Sequence, residues 1–249
     1  PHYMKTYGFH GIHGRALPIS LGVALARPDL RVMTVMGDGD CFSIGAGHWV
    51  HTLRYNPRIM VIVLVNEVYA LTKNQVSPTS PAGAVTNTTP RGAYLKAMNP
   101  LSVILGVTNV SFLAQTATWL PVHMEDTLRK AWHHRGMAFV RILARCPVFI
   151  PDGFGADGSI FPAVFLENAE GVPVNKGVLR TAPTEAHDHR DIHAAQRMAM
   201  RKDGAPMGLL YWDPELPSYE EVRRSRTKEI DRAALISGMN AQLDKYSVQ

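Results

Sequence analysis

Cysteine is scarce in this chain, with two among 249 residues, Cys41 and Cys146. Two thiols build no disulfide framework, and a reducing compartment, the cytoplasm, suits them best. No apolar run approaches the roughly 20 residues that a membrane-spanning helix requires. The opening Pro1-His-Tyr-Met-Lys5 has none of the architecture of a secretory leader. Lys and Arg outnumber Asp and Glu by 26 to 21, yet no basic block with interleaved aromatics occurs, which argues against nucleic acid. The basic residues are densest at Arg223-Arg224-Ser-Arg226-Thr-Lys228, which suits a solvated face or a patch for an acidic partner. There is no internal repeat, no Ser-His-Asp arrangement and no carboxylate pair of the glycosidase kind.

What the chain has is an ordinary globular composition, 46% hydrophobic and 19% charged, with room for one large domain or two small ones. Residues 31–36, Arg-Val-Met-Thr-Val-Met, read as a short buried strand closed by Gly37-Asp38-Gly39-Asp40. Residues 43–55 read as a helix, and residues 59–65, Ile-Met-Val-Ile-Val-Leu-Val, as a second buried strand that ends at Asn66. In an open parallel sheet both C-terminal ends lie on one edge, where α/β proteins bind ligands. Asp38 and Asn66 would then bring two hard oxygen donors to one spot, with Gly39 permitting close backbone approach. Read alone, Gly-Asp-Gly is also an ordinary glycine turn capped by Asp. The pairing with Asn66 suits Mg²⁺ carrying a diphosphate.

The remainder alternates. A helix is expected at 18–26, with Pro18 in its first turn, and a long ordered loop or lid at 74–92, rich in Pro, Ser, Thr and Asn. A short helix at 101–107, a strand at 110–114, an amphipathic helix at 122–134 and a strand at 137–143 follow. This predicts an α/β fold, a doubly wound parallel sheet with helices on both faces, over residues 1–150. From 151 to 249 Gly and Pro are frequent, and this stretch is expected to be an irregular C-terminal arm packing on a partner subunit, helical in parts of 220–243 and broken near Gly238. The run from His187 to His193 has metal-like spacing but is a weak signal, and a solvated turn is the plainer reading.

Several words in order carry a family resemblance: His13-Gly-Arg-Ala16, Gly37-Asp-Gly-Asp40, Ser43-Ile-Gly45, His48, Arg54-Tyr-Asn56, Tyr69-Ala-Leu-Thr-Lys73, Gln75 and Ser77-Pro-Thr79. From about residue 3 to 147 the chain resembles the β subunit of 2-oxoacid:ferredoxin oxidoreductases. The Leu71-Thr72-Lys73 variant is most like the 2-oxoglutarate branch. The resemblance implies a thiamine-diphosphate fold, with Asp38, Asn66 and the Val68 carbonyl on Mg²⁺. It places His13, Gly39, Asp40, Ala70 and Leu71 on the cofactor. Ala70 stands where relatives often have Gly. Lys73 is expected to meet the distal carboxylate of 2-oxoglutarate, because a charge-assisted bond is strong and pyruvate offers no acceptor.

The same resemblance makes Cys146, in Arg145-Cys146-Pro147, a ligand of a [4Fe–4S] cluster whose other thiolates belong to an upstream segment not seen here. Cys41 reads as a buried free thiol. The implied activity is CoA-dependent oxidative decarboxylation of 2-oxoglutarate to succinyl-CoA, reversible, with electrons to ferredoxin, in an (αβ)2 hetero-oligomer. No acid or base is expected on this chain, since the family's activating glutamate lies on the α subunit. A pyruvate enzyme, a ferredoxin-independent thiamine-dependent decarboxylase or synthase, and a non-catalytic scaffold remain the alternatives.

Overall fold

Helix α1 (Ala16–Ala26) opens right after the glycine-containing N-terminal loop, and Pro18 sits in its first turn, where a missing N–H breaks no hydrogen bond. Strand β1 (Val32–Gly37) leads into a π-helical turn, Asp40–Ile44, and then into α2 (Ala46–Tyr55). The single helix expected at 43–55 is therefore two pieces hinged at Gly45. Asn56 closes α2 in the left-handed conformation, φ 48°. Strand β2 (Ile59–Val65) pairs with β1 in parallel. The structure, a computed structural model, describes residues 4–155, 162–175, 182–225 and 231–246.

Beyond β2, strands β3 (Val68–Tyr69) and β4 (Gln75–Val76) form a small antiparallel ribbon, so the expected loop at 74–92 starts as a strand and continues as turns. Helix α3 (Pro100–Ile104) is capped by Asn99, whose side chain accepts from the Ser102 amide. Strand β5 (Phe112–Ala117) lies further along than expected. Gln115 and Thr116 look like strand-ending polar residues, but both are fully buried. Gln115 donates to the Pro206 carbonyl and Thr116 bonds His123, so burial leaves them satisfied. Helix α4 (Pro121–His133) and strand β6 (Ala138–Leu143) complete the first part.

The C-terminal stretch is more regular than its composition suggests. It adds β7 (Ala163–Glu167), β8 (Thr184–Ala186) and β9 (Ala205–Trp212) to the same sheet, with helix α5 (Ile192–Met200) between the last two. The central strands there are nearly continuous apolar runs, and strands buried on both faces show no alternation to read. The sheet order is β1-β2-β6-β5-β9-β7-β8, parallel throughout except where β9 meets β5.

One face packs against α1, α2, α3 and α5 through a core that includes Leu17, Phe42, Trp49, Phe139 and Ala195. The other is covered by α4, with Ala131 buried and Met124 and Leu128 packed on Met60, Phe112 and Val140. Full burial of each large side chain contributes roughly 1.5–3 kcal/mol. Outside the sheet lie α6 (Tyr219–Ser225) and α7 (Arg232–Asp244). Helix α7 runs unbroken through Gly238, because a lone glycine weakens a helix by about 1 kcal/mol without ending it. Arg226 and Lys228 of the basic run lie outside the described residues.

Candidate active site

The parallel register pairs Gly37 with Leu64, so the residues that follow β1 and β2 emerge side by side at one sheet edge. Asp38 is buried, and its Oδ2 accepts the hydroxyls of Ser77, at 2.7 Å, and Thr79. Its Oδ1 accepts no hydrogen bond among the described residues. Ser77 and Thr79 are themselves buried, and the Ser80 hydroxyl donates to the Glu67 carbonyl. The Ser77–Ser80 turn thus clamps both strand ends. The Ser-Pro-Thr word marked the family in the sequence, but its physical task, orienting Asp38, shows only in three dimensions.

Asn66 accepts from the Val68 amide at 3.2 Å, which directs its side-chain oxygen along the turn. Glu67 between them has φ 63°. Burial, reinforced by Asp38 and opposed by Arg141, raises the Glu67 carboxyl to about 7. Arg141, from the middle of β6, is the cation beneath this edge, and burial brings it down to about 10. Its Nη1 donates to Gln115 at 2.9 Å. Sequence reading missed Glu67 and Arg141. The available signal was a single arginine inside the otherwise apolar strand Ala-Phe-Val-Arg-Ile-Leu.

Tyr69 covers the turn after β1. Its hydroxyl donates to the Gly39 carbonyl at 2.6 Å, and a Cβ on Gly39 would fall 2.3 Å from the Tyr69 ring. His13 stands edge-on to Tyr69 at 5.7 Å and pairs through Nδ1 with Asp40 Oδ1 at 2.7 Å. The structure therefore brings His13, Asp38, Gly39, Asp40, Asn66 and Val68 to one edge. Ala70 and Leu71 continue from it in a turn closed by the Lys73 amide on the Ala70 carbonyl. Leu71 is 93% exposed. Lys73 is exposed with φ 73°, and the Asn87 side-chain Nδ2 donates to its carbonyl at 2.5 Å.

Cys146 is buried just past β6, and its carbonyl accepts from the Ile150 amide. Cys41 is buried within the π-helical turn, and burial raises its thiol. A four-iron cluster needs four ligands, and two cysteines do not supply them, so this sequence by itself does not fit the cluster. The stretch from His187 is not a solvated turn. His187 and His189 are buried, the first bonded to the Leu210 carbonyl and the second stacked on Trp212. Among the described residues no three His, Cys, Asp or Glu side chains converge on a metal position. No described helix is long and apolar enough to cross a membrane.

The fold is a doubly wound sheet with an acidic residue and an amide at neighbouring strand ends, and comparison finds its class, a thiamine-diphosphate-binding domain. Residues 1–142 match the family of the thiamine pyrophosphate enzyme C-terminal TPP binding domain, and residues 179–228 match the C-terminal family of the pyruvate ferredoxin oxidoreductase β chain. The 2-oxoglutarate oxidoreductase subunit KorB of Mycobacterium tuberculosis is 41% identical, over 79% of this chain and 56% of that protein. Subunit beta of 2-oxoacid:ferredoxin oxidoreductase 2 of Aeropyrum pernix is 34% identical, over 88% of this chain and 69% of that protein. A solved 2-oxoglutarate:ferredoxin oxidoreductase from Magnetococcus marinus, with 2-oxoglutarate, coenzyme A and succinyl-CoA bound, superposes with a TM-score of 0.73 at 32% identity, covering 90% of this chain and 73% of that one. The chain belongs to the β-subunit family of 2-oxoacid:ferredoxin oxidoreductases. It spans little more than half the length of its M. tuberculosis relative.

Proposed function

We propose that this chain is the thiamine-diphosphate-binding β subunit of a cytoplasmic 2-oxoglutarate:ferredoxin oxidoreductase, acting with an α subunit in an (αβ)2 assembly. The observation that carries the reading is Asp38. It is a buried carboxylate with one oxygen held by two hydroxyls and the other unbonded among the described residues, next to Asn66 at the adjacent strand end. Hard oxygens with one free carboxylate position fit Mg²⁺, which takes a few protein ligands and completes its shell with phosphate and water. In this reading Asp38, Asn66 and the Val68 carbonyl hold Mg²⁺, while the backbone at Gly39 and Asp40 and at Ala70 and Leu71 borders the diphosphate. His13 faces the cofactor.

Thiamine diphosphate, when bound, supplies the electron sink for decarboxylation. The chain supplies position and charge. Lys73 binds the distal carboxylate of 2-oxoglutarate and orients the keto acid, and Leu71 lines the pocket beside it. Cys146 would be one thiolate on a [4Fe–4S] cluster whose remaining ligands this sequence does not supply. Helix α7 belongs to the arm that packs on the partner, and that fits its having no buried residue while Leu235, Ile236, Met239 and Leu243 are exposed.

The test is anaerobic reduction of a viologen dye by the complex with its α subunit, given CoA and either 2-oxoglutarate or pyruvate. Preference for 2-oxoglutarate supports the reading, and reduction with pyruvate alone moves the chain to the pyruvate branch. No reduction with either, despite bound cofactor and cluster, rejects it.

A further inference from the structure

The side chain of Asp40 turns toward the N-terminal loop. Its Oδ1 accepts a hydrogen bond from the Gly14 amide at 2.5 Å and lies 2.7 Å from His13 Nδ1, in ion-pair contact. Both partners come from the segment that precedes α1, more than twenty residues earlier in the chain. Gly14 has φ +74°, and a Cβ there would fall 2.8 Å from the Ile44 backbone, so the loop lies directly on the π-helical turn that Asp40 begins. Arg15 adds a bond to the Ile44 carbonyl at 3.2 Å. Tyr69, bonded to Gly39, closes the other side of the imidazole at 5.7 Å.

An ionised carboxylate only accepts hydrogen bonds, so the ring nitrogen that faces it carries the proton. In neutral His13 that proton is on Nδ1, and Nε2 keeps its lone pair. Nε2 makes no hydrogen bond among the described residues, and the His13 side chain is 49% exposed. A free imidazole chooses its tautomer and rotamer for itself; this one lies 2.7 Å from a carboxylate that favours one of each. The arrangement also answers an electrostatic problem. A bare carboxylate at a diphosphate site repels the ligand, whereas here its charge meets the Gly14 amide and the His13 ring.

We propose that Asp40 is a positioning residue. It ties the His13-Gly14 loop to the turn after β1 and sets His13 in the Nδ1–H tautomer, presenting Nε2 to the bound cofactor. The inference deepens the thiamine-diphosphate reading of this edge and rests on it for the identity of the ligand.

The test uses the full chain, uniformly ¹⁵N-labelled, with His13 assigned through His13→Gln. Long-range ¹H–¹⁵N correlation reports which ring nitrogen is protonated, and amide exchange reports the loop. Wild type should show Nδ1–H. Asp40→Asn keeps an accepting oxygen and should keep both the tautomer and the slow exchange of the Gly14 and Arg15 amides. Asp40→Ala should move the proton toward Nε2 and speed that exchange by about tenfold or more. In the complex with the α subunit, Asp40→Ala should weaken thiamine diphosphate binding by about tenfold, with Asp40→Asn close to wild type. Unchanged tautomer and exchange in Asp40→Ala would overturn the proposal. So would an Asn variant as damaged as Ala, because charge rather than hydrogen-bond acceptance would then be the cause. Tautomer and exchange are read without cofactor. Failure of the wild type to bind thiamine diphosphate would therefore count against the proposed function, separately from these results.

Discussion

The phenol of Tyr69 lies over Gly39, its hydroxyl donating to the Gly39 carbonyl at 2.6 Å while its ring occupies the space a Cβ would need. The turn after β1 and the turn after β2 are thus locked by one side chain. Gly39→Ala puts a methyl group 2.3 Å from that ring and must displace Tyr69 or the turn. We predict loss of thiamine diphosphate binding by more than tenfold with a modest fall in Tm. Tyr69→Phe keeps the ring and drops one hydrogen bond, at a cost of about 1 kcal/mol. Isothermal titration with Mg²⁺ present compares the two, and equal effects would contradict the steric reading.

Ser77 and Thr79 are the donors that hold Asp38. Thr79→Val leaves a buried carboxylate with one donor fewer, which costs roughly 1.5–3 kcal/mol because the acceptor is charged. Its midpoint of urea unfolding should fall accordingly, and the cofactor complex should need more Mg²⁺. The double variant with Ser77→Ala should lose more than the two singles combined, since either hydroxyl partly covers for the other.

Asn56 ties the far edge of the sheet together. Its Oδ1 accepts from Ser111 at 2.6 Å and from the Met137 amide at 2.8 Å, and its Nδ2 donates to the Pro217 carbonyl at 3.2 Å. It is 1% exposed and sits in the left-handed conformation. Asn56→Ala strands these partners and strains the backbone, so a loss on the order of 3 kcal/mol is expected in chemical denaturation. The site on the opposite edge should still bind cofactor at low temperature.

These residues show how far the sequence was legible. The strand ends at Asp38 and Asn66, and the helices between them, follow from short apolar runs closed by glycine or a polar residue. Arg54-Tyr-Asn56 could be noticed as a family word, but its role is structural and needs the far side of the sheet, including Pro217, to be seen. Glu67 and Arg141 were opaque for a related reason. They are 74 positions apart, and only the packing of β2 against β6 gives their charges a common environment. The strands β7 to β9 resemble an irregular arm in the sequence because an apolar strand buried on both faces and a glycine-rich connector have no period.

Stability should also depend on acid. His123 and His134 are buried, and burial lowers each from 6.5 to about 4. The unfolded chain binds protons there first, so their contribution is fully present above pH 6.5 and is lost as pH falls toward 4. The ceiling is roughly 3 kcal/mol for each histidine. Glu67, raised to about 7, acts in the opposite direction, being most favourable below 4.5 and losing its contribution as pH rises through 7. His123→Phe should therefore lose less stability than wild type between pH 6.5 and 4.5, measured by urea midpoints. Parallel pH slopes would contradict this assignment.

Lys73 should sort substrates. Lys73→Ala in the complex is expected to raise KM for 2-oxoglutarate by tenfold or more, the order of one charge-assisted hydrogen bond, and to leave any pyruvate reaction unchanged. Steady-state viologen reduction with both acids reads the difference, and equal losses would assign Lys73 to the fold of the turn.

The most direct measurement is anomalous diffraction from crystals of the complex with its α subunit, grown with thiamine diphosphate and Mn²⁺ in place of Mg²⁺. A manganese peak within bonding distance of Asp38, Asn66 and the Val68 carbonyl, bridging to the diphosphate and missing in Asp38→Ala, is the predicted result. A cofactor-loaded crystal with its metal elsewhere, or with Asp38 still bound only by Ser77 and Thr79, would contradict it.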